Sequence, residues 1–412
     1  MPKRWRVGRV PPNVWRSWTR YATPSLVAAG VGVFLVSVMA FSRIPLLPAI
    51  GTTLSLSATE LGLLTMAFGV GRLAADLPAG VLAGKVSAAT AFALACGLVT
   101  TGCGLLATAG QGAQAYVAAF VLGTGSALSN TAGMTTFSGV PSERRGRALA
   151  IFSACLLCGQ SFGPVLGGAL VAGDSSWRVA QGVAGALGVL GVLAFVVVNV
   201  RSASQRAVRR EARQSATGGG TPIPFVQLLI LYAVPFVVFF MLAAMPQTLV
   251  PIIGAESLRL SAGVVGLALG VGGVCRLVGT LIGGYVSDRF GRKMALIPGL
   301  ATMAVGIALV AVPESVVMWL AGIALMSVGS FGVSVAATIL ADRSRYGAVG
   351  RRLGSFRFFG DIGMIIGPVL GGWLYSVHGQ AVAVLVVAAL PAAVAVAAAA
   401  GLQQVRTRQA ES

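Results

Sequence analysis

The chain has 412 residues, 56% of them hydrophobic and only 10% charged, against roughly 25% charged in an ordinary soluble domain. With a mean hydropathy of +0.87, this composition excludes a water-soluble globular protein. The net charge of +19 would suggest nucleic acid in a soluble chain, but here it sits in alternate connections between apolar runs, and no nucleic-acid partner is expected.

From the start, residues 1–24 form a basic tail with Lys3, Arg4, Arg6, Arg9, Arg16 and Arg20. Twelve apolar runs follow, at 25–47, 59–83, 88–110, 114–138, 147–172, 179–200, 225–248, 262–286, 294–312, 315–340, 353–376 and 382–402. Each is near the roughly 20 residues that a helix needs to cross the hydrocarbon layer. The expected fold is therefore all-α and membrane-spanning, with six-helix bundles at 25–200 and 225–402. A linker at 201–224, with an Arg run and Gly218-Gly219-Gly220, joins them, and a tail at 403–412 ends the chain. The first run is too long for a signal peptide and lacks a small-residue cleavage site, so it reads as a retained helix.

Twenty-four of the 30 Lys and Arg lie in alternate connections, including Lys85, Arg144, Arg145, Arg147, Arg289, Arg292, Lys293, Arg351 and Arg352. The positive-inside rule assigns those connections and both termini to the cytoplasm. Arg outnumbers Lys 27 to 3, a bias that hints at a GC-rich bacterium and hence a bacterial cytoplasmic membrane. Cys96, Cys103, Cys155, Cys158 and Cys275 all fall inside apolar runs, and His378 is the single histidine. The Cys155–Cys158 pair has no second pair beside it, so it reads as packing. No catalytic residue and no metal site is expected.

The two halves repeat at a constant offset of 204 positions. Leu54, Leu56, Ser57 and Gly62 return as Leu258, Leu260, Ser261 and Gly266. Arg72, Leu73, Leu77 and Gly80 return as Arg276, Leu277, Leu281 and Gly284. Gly163-Pro164-Val165-Leu166-Gly167-Gly168 returns letter for letter as residues 367–372. Two homologous hydrophobic halves mark a secondary transporter with a site at the repeat interface.

Between spans eight and nine the chain reads Gly284-Tyr285-Val286-Ser287-Asp288-Arg289-Phe290-Gly291-Arg292-Lys293. This resembles the G-x-x-x-D-R-x-G-R-K loop of the major facilitator superfamily. The resemblance covers nearly the whole chain once the spans, the linker and the repeat are counted. It implies a cytoplasmic latch, in which Asp288 meets the N-terminal end of a neighbouring helix while Arg289 and Arg292 pair locally. The first-half copy departs from the pattern, with Gly84 for the latch Asp and Ser87 for the turn Gly. Span five carries Gly159, Gly163, Pro164, Gly167 and Gly168 and is similar to the signature of the drug–proton antiporter branch. Its glycines, four apart, make one smooth face for close helix contact between rocking halves, and Pro164 permits a bend. Trp177-Arg178 resembles the family's entry to span six, with Trp177 as an interfacial anchor.

Ionisable residues in hydrocarbon are functional hypotheses by default. Arg72 and Asp76 are four apart in span two, and Arg357 and Asp361 four apart in span eleven. The resemblance packs these spans together, so the four are expected to form a proton-responsive charge cluster that closes the cytoplasmic side. The alternative is a static bridge. Arg43 and Arg276 have no evident acidic partner, although Glu60 stands near enough in sequence to be considered for Arg43. Asn130, Gln160, Gln247 and Ser330, with an apolar wall of Phe236, Phe239 and Phe240, are candidates for the substrate cavity along with the two arginines. Ser37 is a further polar candidate.

The resulting expectation is a monomeric secondary active transporter in lipid, driven by the proton gradient without a cofactor, that expels small amphipathic organic compounds. An importer of small organic anions is the first alternative. A non-transporting sensor or an intramembrane enzyme is the second, though neither an output domain nor a nucleophile and base is found.

Overall fold

The computed structural model describes residues 24–140, 142–171, 176–202, 223–313, 315–342 and 349–402, all helix and short connection, with no strand among them. In chain order the first half holds α1 (Pro24–Phe41), α2 (Leu47–Leu54), α3 (Ala58–Lys85), α4 (Ala88–Ala107), α5 (Gly112–Ser138), α6 (Ser142–Val171) and α7 (Trp177–Ser202). The second half holds α8 (Phe225–Ala244), α9 (Val250–Glu256), α10 (Ala262–Phe290), α11 (Arg292–Leu309), α12 (Val316–Gly329), α13 (Gly332–Asp342) and α14 (Val349–Gly401). Every expected span thus has a helical counterpart. The tail, linker and terminal segments expected at 1–24, 201–224 and 403–412 lie almost wholly outside the described residues.

The first helix of each half breaks in mid-course. α1 passes through a 3-10 turn at Ile44–Leu46 into α2, and α8 passes through a π turn at Met245–Leu249 into α9. Pro45, Pro48, Pro246 and Pro251 sit at these breaks, where each lacks an N–H for the helical ladder. The ends are set by ordinary capping chemistry. Ser57 caps α3 in a full capping box with Glu60, and its repeat mate Ser261 caps α10, each cap worth about 1 kcal/mol. Just before them Ser55 and Arg259, again 204 apart, are the two non-glycine residues with positive φ among the described residues, at 54° and 53°.

Nine segments among the described residues are long and apolar enough to cross a membrane by length and composition. α3, which carries Glu60, Arg72 and Asp76, and α5, which is rich in Gly, Ser and Thr, are not among them. α14 counts once although it doubles back at Gly379. The outer surface of the helices exposes Leu190, Leu193, Leu281, Val317 and Val396, a belt that suits lipid and not water.

At Gly379 φ is 79° and ψ 176°, a region open essentially to glycine. A Cβ there would meet nothing within 4 Å, so the constraint is backbone alone. Gly379→Ala is expected to lower stability by about 1–3 kcal/mol, whereas Gly354→Ala, helical and equally uncrowded, leaves it unchanged or slightly raised. Thermal denaturation of the purified protein in detergent distinguishes the two.

Each half has its own hydrophobic core. One gathers Phe68, Phe92, Val99, Leu122 and Trp177, the other Phe240, Met303, Trp319 and Phe331. Between the halves, α3 packs on α14 and α10 on α6. The contacts obey the repeat: Gly62 receives the carbonyl of Pro368 and Gly266 that of Pro164, while Gly372 receives the carbonyl of Ala58 and Gly168 that of Ala262. In every case an added Cβ would collide with backbone. These four close approaches are gathered at the end of the bundle where α3 and α10 begin, here termed the far end. There Thr59 Oγ1 also bonds Ser376 Oγ at 3.1 Å. The opposite, basic end carries Arg147, Arg289, Arg292, Lys293 and Arg352.

Candidate functional site

Between the halves lies a cavity of about 440 Å³, within the range of small-ligand sites. Its far side is bounded by Phe41, Ile44, Pro164, Pro246 and Leu269, and it extends toward the basic end past Phe152, Phe356 and Arg357. Of the expected cavity residues, Asn130, Gln160, Gln247 and Arg276 line it. Gln247 lies in the π turn of the α8–α9 break, its amide donating to the Leu242 carbonyl at 3.3 Å and its Oε1 buried without a partner among the described residues. Such turns recur at functional sites because they re-aim side chains.

Five expected cavity residues lie elsewhere. Phe236 and Phe240 pack on each other at 5.9 Å between centroids, and their carbonyls meet Gly363 and Gly367 of α14. The wall is made instead by Phe239 and Leu242 of α8, with Pro246 of the π turn that follows it. Ser330 is buried and donates to the Ser327 carbonyl at 2.7 Å, and Ser327 faces the cavity in its place. Arg43 is 1% exposed and stacks over the Phe68 ring at 4.5 Å, with Nε and Nη1 lacking a hydrogen-bond partner among the described residues. It neither reaches the surface nor pairs with Glu60, whose Oε2 accepts from the Ser57 backbone N–H and hydroxyl, both at 2.8 Å. Ser37 is buried and does not line the cavity.

The charge cluster forms with three of its four expected members. Arg357 Nη2 lies 3.0 and 3.1 Å from the two carboxylate oxygens of Asp76, joining α14 to α3, and its Nε lies 4.0 Å from Asp361. Arg72 stands apart, donating from Nη1 to Ser126 Oγ at 2.9 Å while remaining within electrostatic reach of Asp76, Arg357 and Asp361. The Arg357 side chain is 47% exposed, against 18% for Asp76 and 14% for Asp361. A bridge with so wetted a cation is worth only about 0.2–1 kcal/mol.

A second hollow, of about 490 Å³ and almost wholly apolar, opens on the membrane-facing side of the α6–α10 contact. It shares Leu157, Ser161 and Gly273 with the central cavity.

The sequence model of the Major Facilitator Superfamily matches residues 29–254 and again 235–411. The chain belongs to the major facilitator superfamily. Among curated relatives, the class C tetracycline resistance protein of Escherichia coli is 27% identical over 265 residues, covering 63% of this chain and 66% of the relative. The class G tetracycline resistance protein of Vibrio anguillarum is 26% identical over 274 residues, covering 63% and 66%. These matches span just under two thirds of each relative's length. Among solved structures, a bacterial homologue of the human lysosomal transporter Spinster, in an inward-facing unoccupied conformation, has a TM-score of 0.72. It is 14% identical and covers 95% of this chain and 97% of that one.

Within this superfamily fold the two recognised motifs take definite places. In the basic-end loop, Gly291 adopts φ 98° to turn the chain between α10 and α11. Asp288, 75% exposed, pairs with Arg292 at 3.0 Å, Arg292 also holds Ser287 Oγ at 2.9 Å, and Arg289 donates to the Tyr285 hydroxyl at 2.6 Å. Gly284 is uncrowded. The local Arg pairing is present, but the contact of Asp288 with a neighbouring helix N-terminus is not among its contacts in the described residues. Ser87, at the first-half counterpart, caps α4.

The span-five glycines also divide their work. Added Cβ atoms at Gly159 and Gly163 would lie 2.6 Å from the carbonyls of Phe34 and Val38, and one at Gly167 would strike that of Ser42. That face therefore packs α6 on α1 inside the first half. The contact between halves is made by Gly168 and by the Pro164 carbonyl. Trp177 is buried and donates to Thr53 Oγ1 at 2.9 Å, so it pins α7 to α2 and does not anchor in the interface.

Several lining residues escaped the sequence reading, among them Phe68, Phe152, Ser161, Ser327, Phe356 and Met364. One signal was available: Met364 is the repeat mate of Gln160.

Proposed function

We propose that this chain is a secondary active exporter that uses the proton gradient to expel small amphipathic organic compounds by alternating access. The observation that carries the proposal is a mostly apolar cavity between two like-built halves, lined by five phenylalanines and a minority of charged and amide side chains, and bordered by a carboxylate–guanidinium link that joins them. The far end is shut by backbone contacts at glycine, and the link at the basic end is weak, which supports a resting state that opens toward the basic, cytoplasmic side to take up substrate. The likeness of span five to the drug–proton antiporter branch and the tetracycline resistance proteins among the relatives support export over import. On this reading a proton taken up by Asp361 or Asp76 weakens the hold on Arg357 and lets the halves rock.

The test is flux in inverted membrane vesicles energised to acidify their interior. Accumulation of an amphipathic dye that collapses on addition of a protonophore is the expected result. Uptake only in right-side-out vesicles would favour the importer.

A further inference from the structure

The charges on the cavity wall are unbalanced in a way that export of amphipathic compounds does not by itself require. Arg72, Arg276 and Arg357 line it against a single carboxylate, Asp361. Arg357 is engaged by Asp76 and Asp361. Arg72 and Arg276 have no carboxylate within salt-bridge distance among the described residues.

These two are repeat mates, 204 positions apart, on α3 and α10. The pseudo-twofold relation thus brings the same side chain to one cavity from each half. Both lie deep in the protein yet keep some accessible surface, and that surface is where they border the cavity. Arg72 satisfies one nitrogen on Ser126 and leaves Nε buried without a partner. Arg276 reaches from its own half to Gln160 Oε1 of the other at 3.4 Å, beyond the usual length of such a bond. Neutral acceptors on these terms do not compensate a guanidinium inside a membrane, where an unpaired charge costs several kcal/mol.

We propose that Arg72 and Arg276 form an anion seat that takes the carboxylate of an amphipathic organic acid, whose apolar body lies against Phe68, Phe152 and Phe239. The inference rests on the reading of the cavity as a transport site and narrows its substrate class. A guanidinium presents paired donors that match a carboxylate. An anion held between one arginine from each half also neutralises both charges before the site closes.

The experiment uses the purified full-length protein and three probes of one shape: tritiated 1-naphthaleneacetate, with unlabelled 1-naphthaleneacetamide and 1-naphthylmethylammonium as competitors. The acid is expected to bind saturably and at least about tenfold more tightly than the amide, with the ammonium weaker still. Arg276→Gln and Arg72→Gln should each reduce that preference about tenfold, while Arg276→Lys keeps part of it. Variants are compared only as monodisperse protein, and the lysine variant guards against a mere loss of folding. Equal binding of acid and amide, preference for the ammonium, no saturable acid binding, or a preference unchanged in both glutamine variants overturns the seat. Binding is measured without a gradient, so it fails separately from the exporter reading. Protonophore-sensitive accumulation of a cationic dye without acid binding would sink the seat alone, and acid binding without proton-driven flux would sink the exporter alone.

Discussion

A single methyl added at Gly62, or at its repeat mate Gly266, is expected to open the far end and slow transport, by the same amount in either half. An alanine Cβ at Gly62 would press on the Pro368 carbonyl, and one at Gly266 on the Pro164 carbonyl. Both obstacles are helix backbone, which cannot rotate aside as a side chain can. Overpacking of this kind costs about 1–3 kcal/mol. It falls only on the state in which the far end is closed, so it shifts the balance between states by roughly 5- to 150-fold. Labelling of a Thr59→Cys variant by a membrane-impermeant maleimide reads that shift, because Thr59 bonds Ser376 across the seam. Labelling should quicken in both alanine variants and stay at its background rate with Gly80→Ala, where a Cβ meets nothing within 4 Å. Unchanged labelling in Gly62→Ala and Gly266→Ala would show that the seam does not gate the far end.

The second large effect is expected from Asp361→Asn and Asp76→Asn. Each removes one carboxylate facing Arg357, and with it a place where a proton can change the link between α3 and α14. Gradient-driven accumulation should fall at least about tenfold, equivalent to about 1.4 kcal/mol, while counterflow exchange without a gradient persists and loses its dependence on pH. The sign follows from the geometry: protonation weakens the hold on Arg357, so the wild type should exchange faster as the medium acidifies. A static bridge predicts otherwise. In that case the variants would lose stability together with all modes of transport, and the pH profile of whatever activity remained would match the wild type. Arg357→Gln is expected to be more harmful than either asparagine variant, since it leaves both half-buried carboxylates without their cation, whereas each asparagine variant leaves Arg357 its other carboxylate.

Much of this architecture could be read from residues alone, because duplication is visible wherever the same physical demand recurs. The pairs Ser57/Ser261, Gly62/Gly266 and Gly168/Gly372 were legible as repeats, and they mark the caps and the seam between halves. The pairing of Asp76 with Arg357 was also legible, since two charges four apart on each of two packed helices leave few other partners in lipid.

What could not be read was rotational phase. In water an apolar face points inward. In a bilayer, lipid and core are alike apolar, so the pattern of Phe236, Phe239 and Phe240 does not tell which ring borders the cavity. It is Phe239, because the Phe236–Phe240 edge is used to seat α14. Likewise the Gly159–Gly163–Gly167 face announces close packing without naming the neighbour, which is α1 and not the other half. Arg43 was expected at the cavity, but the break at Ile44–Leu46 folds it over Phe68. Arg72 was expected to join Asp76 and instead found Ser126, a residue whose nearness follows from the packing of α3 on α5 and from no spacing in the chain.

The central claim is that two like-built halves rock about the cavity between them, and paired distances at the two ends of the bundle test it most directly. Spin labels at Arg147→Cys and Phe290→Cys report the basic end, and labels at Thr52→Cys and Arg259→Cys the far end, all at exposed positions. As pH is lowered and transported compound is added, one distance should lengthen while the other shortens, in the same protein and over the same range. Two distances that stay fixed, or that lengthen together, in protein that still transports would contradict the account.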